Sequence, residues 1–408
     1  METTTAVGGN EPDVASLSKL AEGGQPAAQF TLGVLLFAGL DGKVDRAQAV
    51  DWWEKAAHGG WREAEFMLGQ CFQFGMERAQ DLKQAAFWYE KAANAGHTQA
   101  RWNVASMLLT GNGMAKDETK ALSWLELAAR DGSDKAAVAL GRLYEEGVGA
   151  ERRPEQAAHW FRLATEKGNA EGQYCLALLE LAEQSAPERQ REAVKTLTLA
   201  AQQGFQLAEF ELAKCYLTGR GVEQDAPRAI AWLERAASKG HVVAEYALAL
   251  AYANGQGVER DTQKFVAHLT HAAEGGSLEA QYLLGSLLYE GERVPRDVPR
   301  AVKFLRAAAE EGLLAAQALL GVIHLFQTNE PAEARRWNRQ AAEQGVPEAQ
   351  YNFAHQLELG LGGEKDVRQA REWFSRCSAT TEGQRERAEL HARAREAQVR
   401  LAEVVASS

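Results

Sequence analysis

Proline is scarce in this sequence, with nine residues in 408, and alanine is abundant, so little opposes helix formation. Only four cysteines occur, Cys71, Cys175, Cys215 and Cys377, far apart and without paired spacing. That pattern excludes a disulfide framework and points to reduced core thiols in the cytoplasm. No run of ~18 apolar residues is available to cross a membrane. No Asn-x-Ser/Thr sequon marks a glycosylated chain. The opening residues 1–10 lack a basic start followed by an apolar core, so no signal peptide is expected. Positive charge is in the minority, 45 Lys and Arg against 56 Asp and Glu, for a net charge of −11. The densest arginines, Arg385, Arg387, Arg393, Arg395 and Arg400, alternate with glutamate. Neither nucleic acid nor membrane insertion is therefore expected.

What is present describes a folded chain, 46% hydrophobic and 25% charged. Its length exceeds the ~250–300 residues at which a single core stops growing. A repeat array escapes that limit, because each unit packs only on its neighbours. The 37 glycines look too many for helices until their spacing is read.

Stepping by 36 residues from Ala28 reaches Ala64, Ala100, Ala136, Gly172, Ala208, Ala244, Ala280 and Ala316, and a shortened step then gives Ala349. Counted from this anchor, position +4 is usually leucine (Leu32, Leu68, Leu140, Leu176, Leu212, Leu248, Leu284, Leu320) and position +5 is always glycine or alanine. Position +11 is mostly glycine and +17 mostly aspartate, as in Gly39 and Asp45 or Gly75 and Asp81. Tryptophan recurs at +24 (Trp52, Trp88, Trp124, Trp160, Trp232, Trp373), followed by an Ala-Ala pair and a closing glycine such as Gly96.

Each column has a physical meaning. The anchor, +4 and +8 share one face of a first helix, A. A small residue at +5 admits a neighbouring helix. Glycine at +11 suits the left-handed conformation that ends a helix. Aspartate at +17 caps a second helix, B. Pro154, Pro227 and Pro299 fall in the first turn of that helix, where a missing N–H is harmless. Such pairs cannot bury their apolar faces alone, so they stack. The expectation is an all-α solenoid of about ten helix–turn–helix repeats of 36 residues. Residues 1–12 read as a disordered tail, 13–24 as an N-terminal half-repeat helix, 25–378 as the solenoid and 379–408 as a C-terminal capping helix. Two repeats break the pattern. Repeat five has Glu183, Arg189 and Thr196 where Gly, Asp and Trp are expected, and repeat nine has a compressed loop, residues 326–331.

The segments Ala208-Glu-Phe-Glu-Leu-Ala-Lys-Cys-Tyr-Leu-Thr-Gly219-Arg-Gly-Val222 and Ala280-Gln-Tyr-Leu-Leu-Gly285 resemble the Sel-one-like repeat family, a relative of the tetratricopeptide repeats. The resemblance covers residues ~24–378 and implies a right-handed α-solenoid, a superhelix of antiparallel helix pairs that gathers other proteins. Bacterial members serve in host interaction, envelope assembly, signalling and effector neutralisation. A cysteine-rich secreted branch of the family staples each repeat with a disulfide, which this chain cannot do.

No constellation for catalysis stands out. His268 and His271 lie one turn apart on a B helix and could ligate a metal. No Cys, Asp or Glu of suitable spacing completes the set, and His268 occupies the tryptophan column, so both are read as packing or solvated residues. Nucleophile-elbow, zincin and kinase motifs are missing. No enzyme activity, cofactor or metal is expected.

A partner is expected on helix A. Positions +3, +6 and +10 lie opposite the buried stripe and, in a tetratricopeptide-like stack, line the concave groove. The N-terminal set is Met67, Gln70, Phe74, Asn103 and Arg142, with Ser106, Thr110 and Glu146. The C-terminal set is Leu250, Asn254, Leu283, Ser286, Leu319, Val322, Phe326, His355 and Leu359, apolar for a surface. Such residues suit a protein or peptide partner. The chain therefore reads as a cytoplasmic adaptor or, alternatively, an immunity-type protein that neutralises one effector.

Overall fold

The aspartate column starts its helices as the sequence predicts. Asp45, Asp81, Asp117, Asp225, Asp261, Asp297 and Asp366 each accept a backbone N–H from the first turn of helix B at 2.9–3.0 Å. Helix A ends where its +11 glycine turns left-handed, with φ of 69° at Gly75 and 77° at Gly111.

A computed structural model of the chain describes residues 14–39, 44–182, 186–381 and 387–407. Among the described residues every regular element but one short 3₁₀ turn is an α-helix, 22 in all, and no strand is present. The fold is an all-α solenoid of tandem helix pairs. Two compact units, residues 1–208 and 209–408, divide it, the boundary falling inside helix Gln206–Thr218.

In the first unit the helices run from Val14–Glu22 to Pro187–Gln202, each packed on the helices next to it in sequence. Val14–Glu22 buries Leu17 and Ala21, as a lone B helix should. The expected tail, 1–12, and Glu183 of repeat five lie outside the described residues. Repeat five has a shorter A helix, Ala170–Glu180, and a longer B helix, Pro187–Gln202. Arg189, in the aspartate column, therefore sits inside the helix rather than at its cap, and Pro187 starts the helix instead.

The second unit repeats this neighbour-on-neighbour packing from Ala226–Ala237 to Ala388–Ser407. Helix Val367–Thr381 runs past the expected boundary at residue 379, and the terminal helix begins at Ala388. That last helix buries Ala394, Ala397 and Leu401.

The anchor column is buried throughout, with Ala64, Ala100, Ala136, Ala208, Ala244, Ala280, Ala316 and Ala349 fully enclosed. The close helix approach comes from position +5. A methyl group added at Gly33 or Gly69 would lie 2.6 or 2.5 Å from ring atoms of Trp53 or Tyr89. Those large residues form a column that the sequence reading passed over, at +25: Trp53, Tyr89, Leu125, Phe161, Leu197, Leu233, Leu269, Leu305, Asn338 and Phe374, all buried. Size is matched across the pair. Glycine faces Trp53, Tyr89 and Phe161, whereas Ala105, Ala177, Ala213 and Ala249 are paired by column with leucines. Leu305 and Asn338, which face glycines, and Phe374, in the Ala354 repeat, depart from this match.

Two predictions follow from this packing. Ala100→Leu overfills a closed seat and is expected to cost ~1–3 kcal/mol in urea unfolding. Gly141→Ala is expected to destabilise by a similar amount, because the new methyl would press on the Phe161 ring. Adding Phe161→Leu recreates the Ala105–Leu125 pairing and should recover part of the loss, a double-mutant coupling of about 0.5–3 kcal/mol. Strict additivity would mean that the two positions do not share a seat.

Candidate functional site

Burying the anchor, +4 and +8 turns positions +3, +6 and +10 of each A helix away from its B helix. In the first unit Met67, Gln70 and Asn103 are half-buried, and Ser106, Thr110, Arg142 and Glu146 are exposed. Phe74 is 64% exposed. Arg142 is engaged by Glu171 of the next A helix at 2.5 Å. In the second unit Leu250, Leu283, Ser286, Leu319 and Val322 are half-buried, with Leu283 and Leu319 packed partly on the core. Asn254 and His355 are exposed, the latter stacked on Tyr351. Phe326 and Leu359 project furthest, 68% and 54% exposed. The apolar part of the second set thus grades from half-covered leucines to two open side chains at the helix C-termini of repeats nine and ten.

Position +1 carries a polar role that the sequence reading missed. Its amides are buried, and Gln29, Gln281, Gln317 and Gln350 each donate Nε2 to a carbonyl eight residues back, in the preceding B helix, at 3.0–3.4 Å. Arg101 does the same through Nε to Ala93 O at 3.2 Å. Recurrent Gln, Glu or Arg one residue after a buried alanine was the available signal. A glutamate in this column cannot donate to that carbonyl, and in repeat six cations at the C-terminal end of helix B serve the carboxylate instead. Fully buried Glu209 takes Lys239 Nζ at 2.7 Å and Arg235 at 3.1 Å.

The same logic corrects the reading of the histidine pair. Glu245, at +1 of repeat seven, points at both rings. Its Oε2 lies 2.6 Å from His268 Nδ1 and its Oε1 lies 3.5 Å from His271 Nδ1. Sequence spacing could not show this, because the carboxylate lies on the other helix of the repeat, 23 residues before His268.

Repeat nine has buried polar residues in two columns that are elsewhere mostly apolar, and repeat ten has one in a third. Buried Asn338 donates Nδ2 to Oε1 of buried Gln356 at 3.0 Å. Buried His324 lies with Nδ1 at 2.7 Å from Glu330 and 3.0 Å from Thr328 Oγ1, closing the compressed loop, in which Asn329 takes a positive φ of 54°. Glu330 stands at the cap of the following helix but makes no side-chain cap bond there. Direct contact between the A helices Leu314–Phe326 and Pro347–Leu359 accompanies the short loop.

No disulfide joins the four cysteines, which are all buried. Burial pushes the thiols of Cys71, Cys215 and Cys377 up to about 11, so thiolate is negligible near neutrality. No described helix is long and apolar enough to cross a membrane. His97 and His241 prove to be N-caps, each accepting the N–H of the following anchor alanine on Nδ1 at 3.1 Å. Phe66 and Phe210 stack on these rings, and burial lowers both histidine pKa values.

The Sel1 repeat profile matches residues 26–61, 62–97, 98–133, 134–169, 206–241, 242–277, 278–313, 314–346 and 347–376. The unmatched stretch between 169 and 206 is repeat five. Among solved structures, a protective antigen of uropathogenic Escherichia coli with an SLR fold is 31% identical, with a TM-score of 0.69. The match covers 90% of this chain and 81% of that one. A Sel1 repeat protein from Oxalobacter formigenes is 27% identical, with a TM-score of 0.50, over 85% of this chain and 90% of that one. A search of curated proteins finds no match.

The two histidine caps generate a pH prediction. Only a neutral ring can accept on Nδ1, and the folded pKa values lie below the ordinary imidazole value of ~6.5. Their contribution is therefore present above that value and is lost as pH falls through it toward the folded value. The melting temperature should fall between pH 7.5 and 5.5. His97→Asn with His241→Asn places there the residue that caps at Asn169, so the fall should be shallower by scanning calorimetry. An unchanged slope would rule the caps out as its source.

Proposed function

Because the chain belongs to the Sel1 repeat family, whose members generally mediate protein–protein interaction, we propose that it is a non-enzymatic scaffold holding a protein or peptide partner on its A helices. The principal contact is the apolar face of repeats seven to ten, Leu250, Leu283, Leu319 and Val322 leading to Phe326 and Leu359. The observation that carries this reading is the exposure of the last two, 68% and 54%, beside half-covered aliphatic neighbours. Isolated apolar side chains on a surface are ordinary, but several on the same face of successive helices suit a docking patch. Asn254, Ser286 and His355 supply the polar edge, as in interfaces with an apolar centre. Met67, Gln70, Phe74, Asn103 and Arg142 form a second, more polar face in the first unit. Cytoplasmic residence belongs to the same proposal and is supported by four buried cysteines without a disulfide.

Burying one phenylalanine or leucine supplies ~1.5–3 kcal/mol, or at least tenfold in affinity. Affinity capture with quantitative mass spectrometry should show partners recovered by the natural chain and lost from Phe326→Glu/Leu359→Glu. Both side chains are exposed, so stability should change by no more than about 0.5 kcal/mol. A variant that stays folded and retains its partners at full affinity would sink this assignment. If Phe74→Glu abolished capture instead, the first-unit face would be the site. One stoichiometric partner would favour the effector-neutralising form of the proposal, and several weaker partners the adaptor form.

A further inference from the structure

In several repeats, helix B carries tryptophan at +24 and a lysine or arginine one turn later, with the cation over the indole. Lys55 stands 3.9 Å from the Trp52 ring centre, Lys91 4.9 Å from Trp88, Arg235 4.5 Å from Trp232 and Arg376 4.4 Å from Trp373. Repeat seven replaces both members with histidine, His268 and His271. The cation–π pair is exchanged for two imidazoles on one face of helix Thr262–Glu274, facing the Glu245 carboxylate of helix Val242–Asn254. The rings stand at 90° to each other, and one ligand atom from each of the three side chains lies within 4.8 Å of the other two.

We propose that Glu245, His268 and His271 form a binding site for one transition-metal dication of the zinc class. Zinc binds imidazole nitrogen and carboxylate oxygen at ~2.0–2.2 Å, so a tetrahedral ion holds its ligand atoms about 3.4 Å apart. The 3.5 Å between Glu245 Oε1 and His271 Nδ1 already has this spacing. The 2.6 Å contact between Glu245 Oε2 and His268 is a hydrogen bond that opens by side-chain rotation when the ion enters. Burial suits the role as well. Glu245 and His268 are mostly covered, whereas His271 is 62% exposed and gives a hydrated ion a way in. Three protein ligands leave the fourth position to water or to a side chain of a partner. The Tyr252 ring stacks on His268 at 5.6 Å with a 2° interplanar angle, and its hydroxyl donates to Glu234 at 3.2 Å, which fixes the imidazole. Lys264 Nζ also lies 3.4 Å from that hydroxyl. Two imidazoles and one carboxylate favour zinc, copper or nickel over magnesium or calcium. The bound ion would tie helix A to helix B within repeat seven.

The ion-pair alternative is built into the fold, since Glu209 at the same column pairs with Arg235 and Lys239. The experiment therefore uses substitutions that other repeats already carry. An untagged, chelator-stripped full chain is titrated with zinc sulfate by calorimetry at pH 7.5, and with cobalt(II) by visible absorption. The expected result is one saturable equivalent and a tetrahedral cobalt spectrum. His271→Lys, as at Lys55, and Glu245→Gln, as at Gln281, should each weaken binding at least tenfold with an unchanged circular-dichroism spectrum. His268→Trp/His271→Lys restores the common pair and should abolish binding, with a melting temperature in chelator no lower than that of the natural chain. No saturable zinc binding, or a tight site left intact by His271→Lys and Glu245→Gln, overturns the proposal.

Discussion

The structure depends on how closely two helices can approach at one point in each repeat. Position +5 has no side chain beyond a methyl group, and the residue at +25 of the same repeat fills the space so created. Where the seat is Gly33, Gly69 or Gly141, the occupant is an aromatic ring. Interiors packed to crystalline density leave little slack for a mismatch, so seat and occupant are matched in size in repeats one to seven. The other columns serve this contact. The anchor alanine lets the next layer pack close by, and the capping aspartate and left-handed glycine start and stop the helices at the lengths that keep +5 and +25 facing.

Stacking one repeat on the next also creates a polar problem, since the last carbonyls of each B helix are buried under the following A helix. Position +1 solves it with Gln29, Gln281, Gln317, Gln350 or Arg101 donating backwards to an alanine carbonyl. Loop glycines contribute as well. A methyl group at Gly113 would press on the Leu82 carbonyl, and one at Gly362 on that of Pro331, so these loops lie directly on the preceding B helix. Apolar burial supplies most of the driving force, but these bonds and close approaches fix the register between repeats.

A regular array makes its departures informative. Repeat five gives up its capping aspartate and tryptophan and starts helix B early at Pro187. In repeat nine the loop shortens, and Asn338 and His324, with Gln356 of repeat ten, are buried in columns that are elsewhere mostly apolar. Repeat seven trades a cation–π pair for two histidines on one carboxylate. All but the first lie in the second unit, which also carries the most exposed apolar side chains of the C-terminal A helices, Phe326 and Leu359.

The sequence by itself determined the helix pairs, their period, their caps and the buried anchor, because those features depend on local spacing and backbone preference, which a single repeat displays. It also marked the outward face of helix A, from Met67 to Leu359, since helical period alone says which side is turned away. How far each residue emerges was settled only by packing. Leu283 and Leu319 lean into the core, whereas Phe326 and Leu359 stand clear. The +25 column escaped notice because Trp, Tyr, Leu, Phe and Asn share no identity, and what they share is the volume opposite a small residue. Glu245 joined His268 and His271 only in three dimensions, because a helix–turn–helix brings together side chains 23 residues apart that no local motif connects. Local periodicity fixes which face a residue occupies, and only the meeting of two helices decides what that face touches.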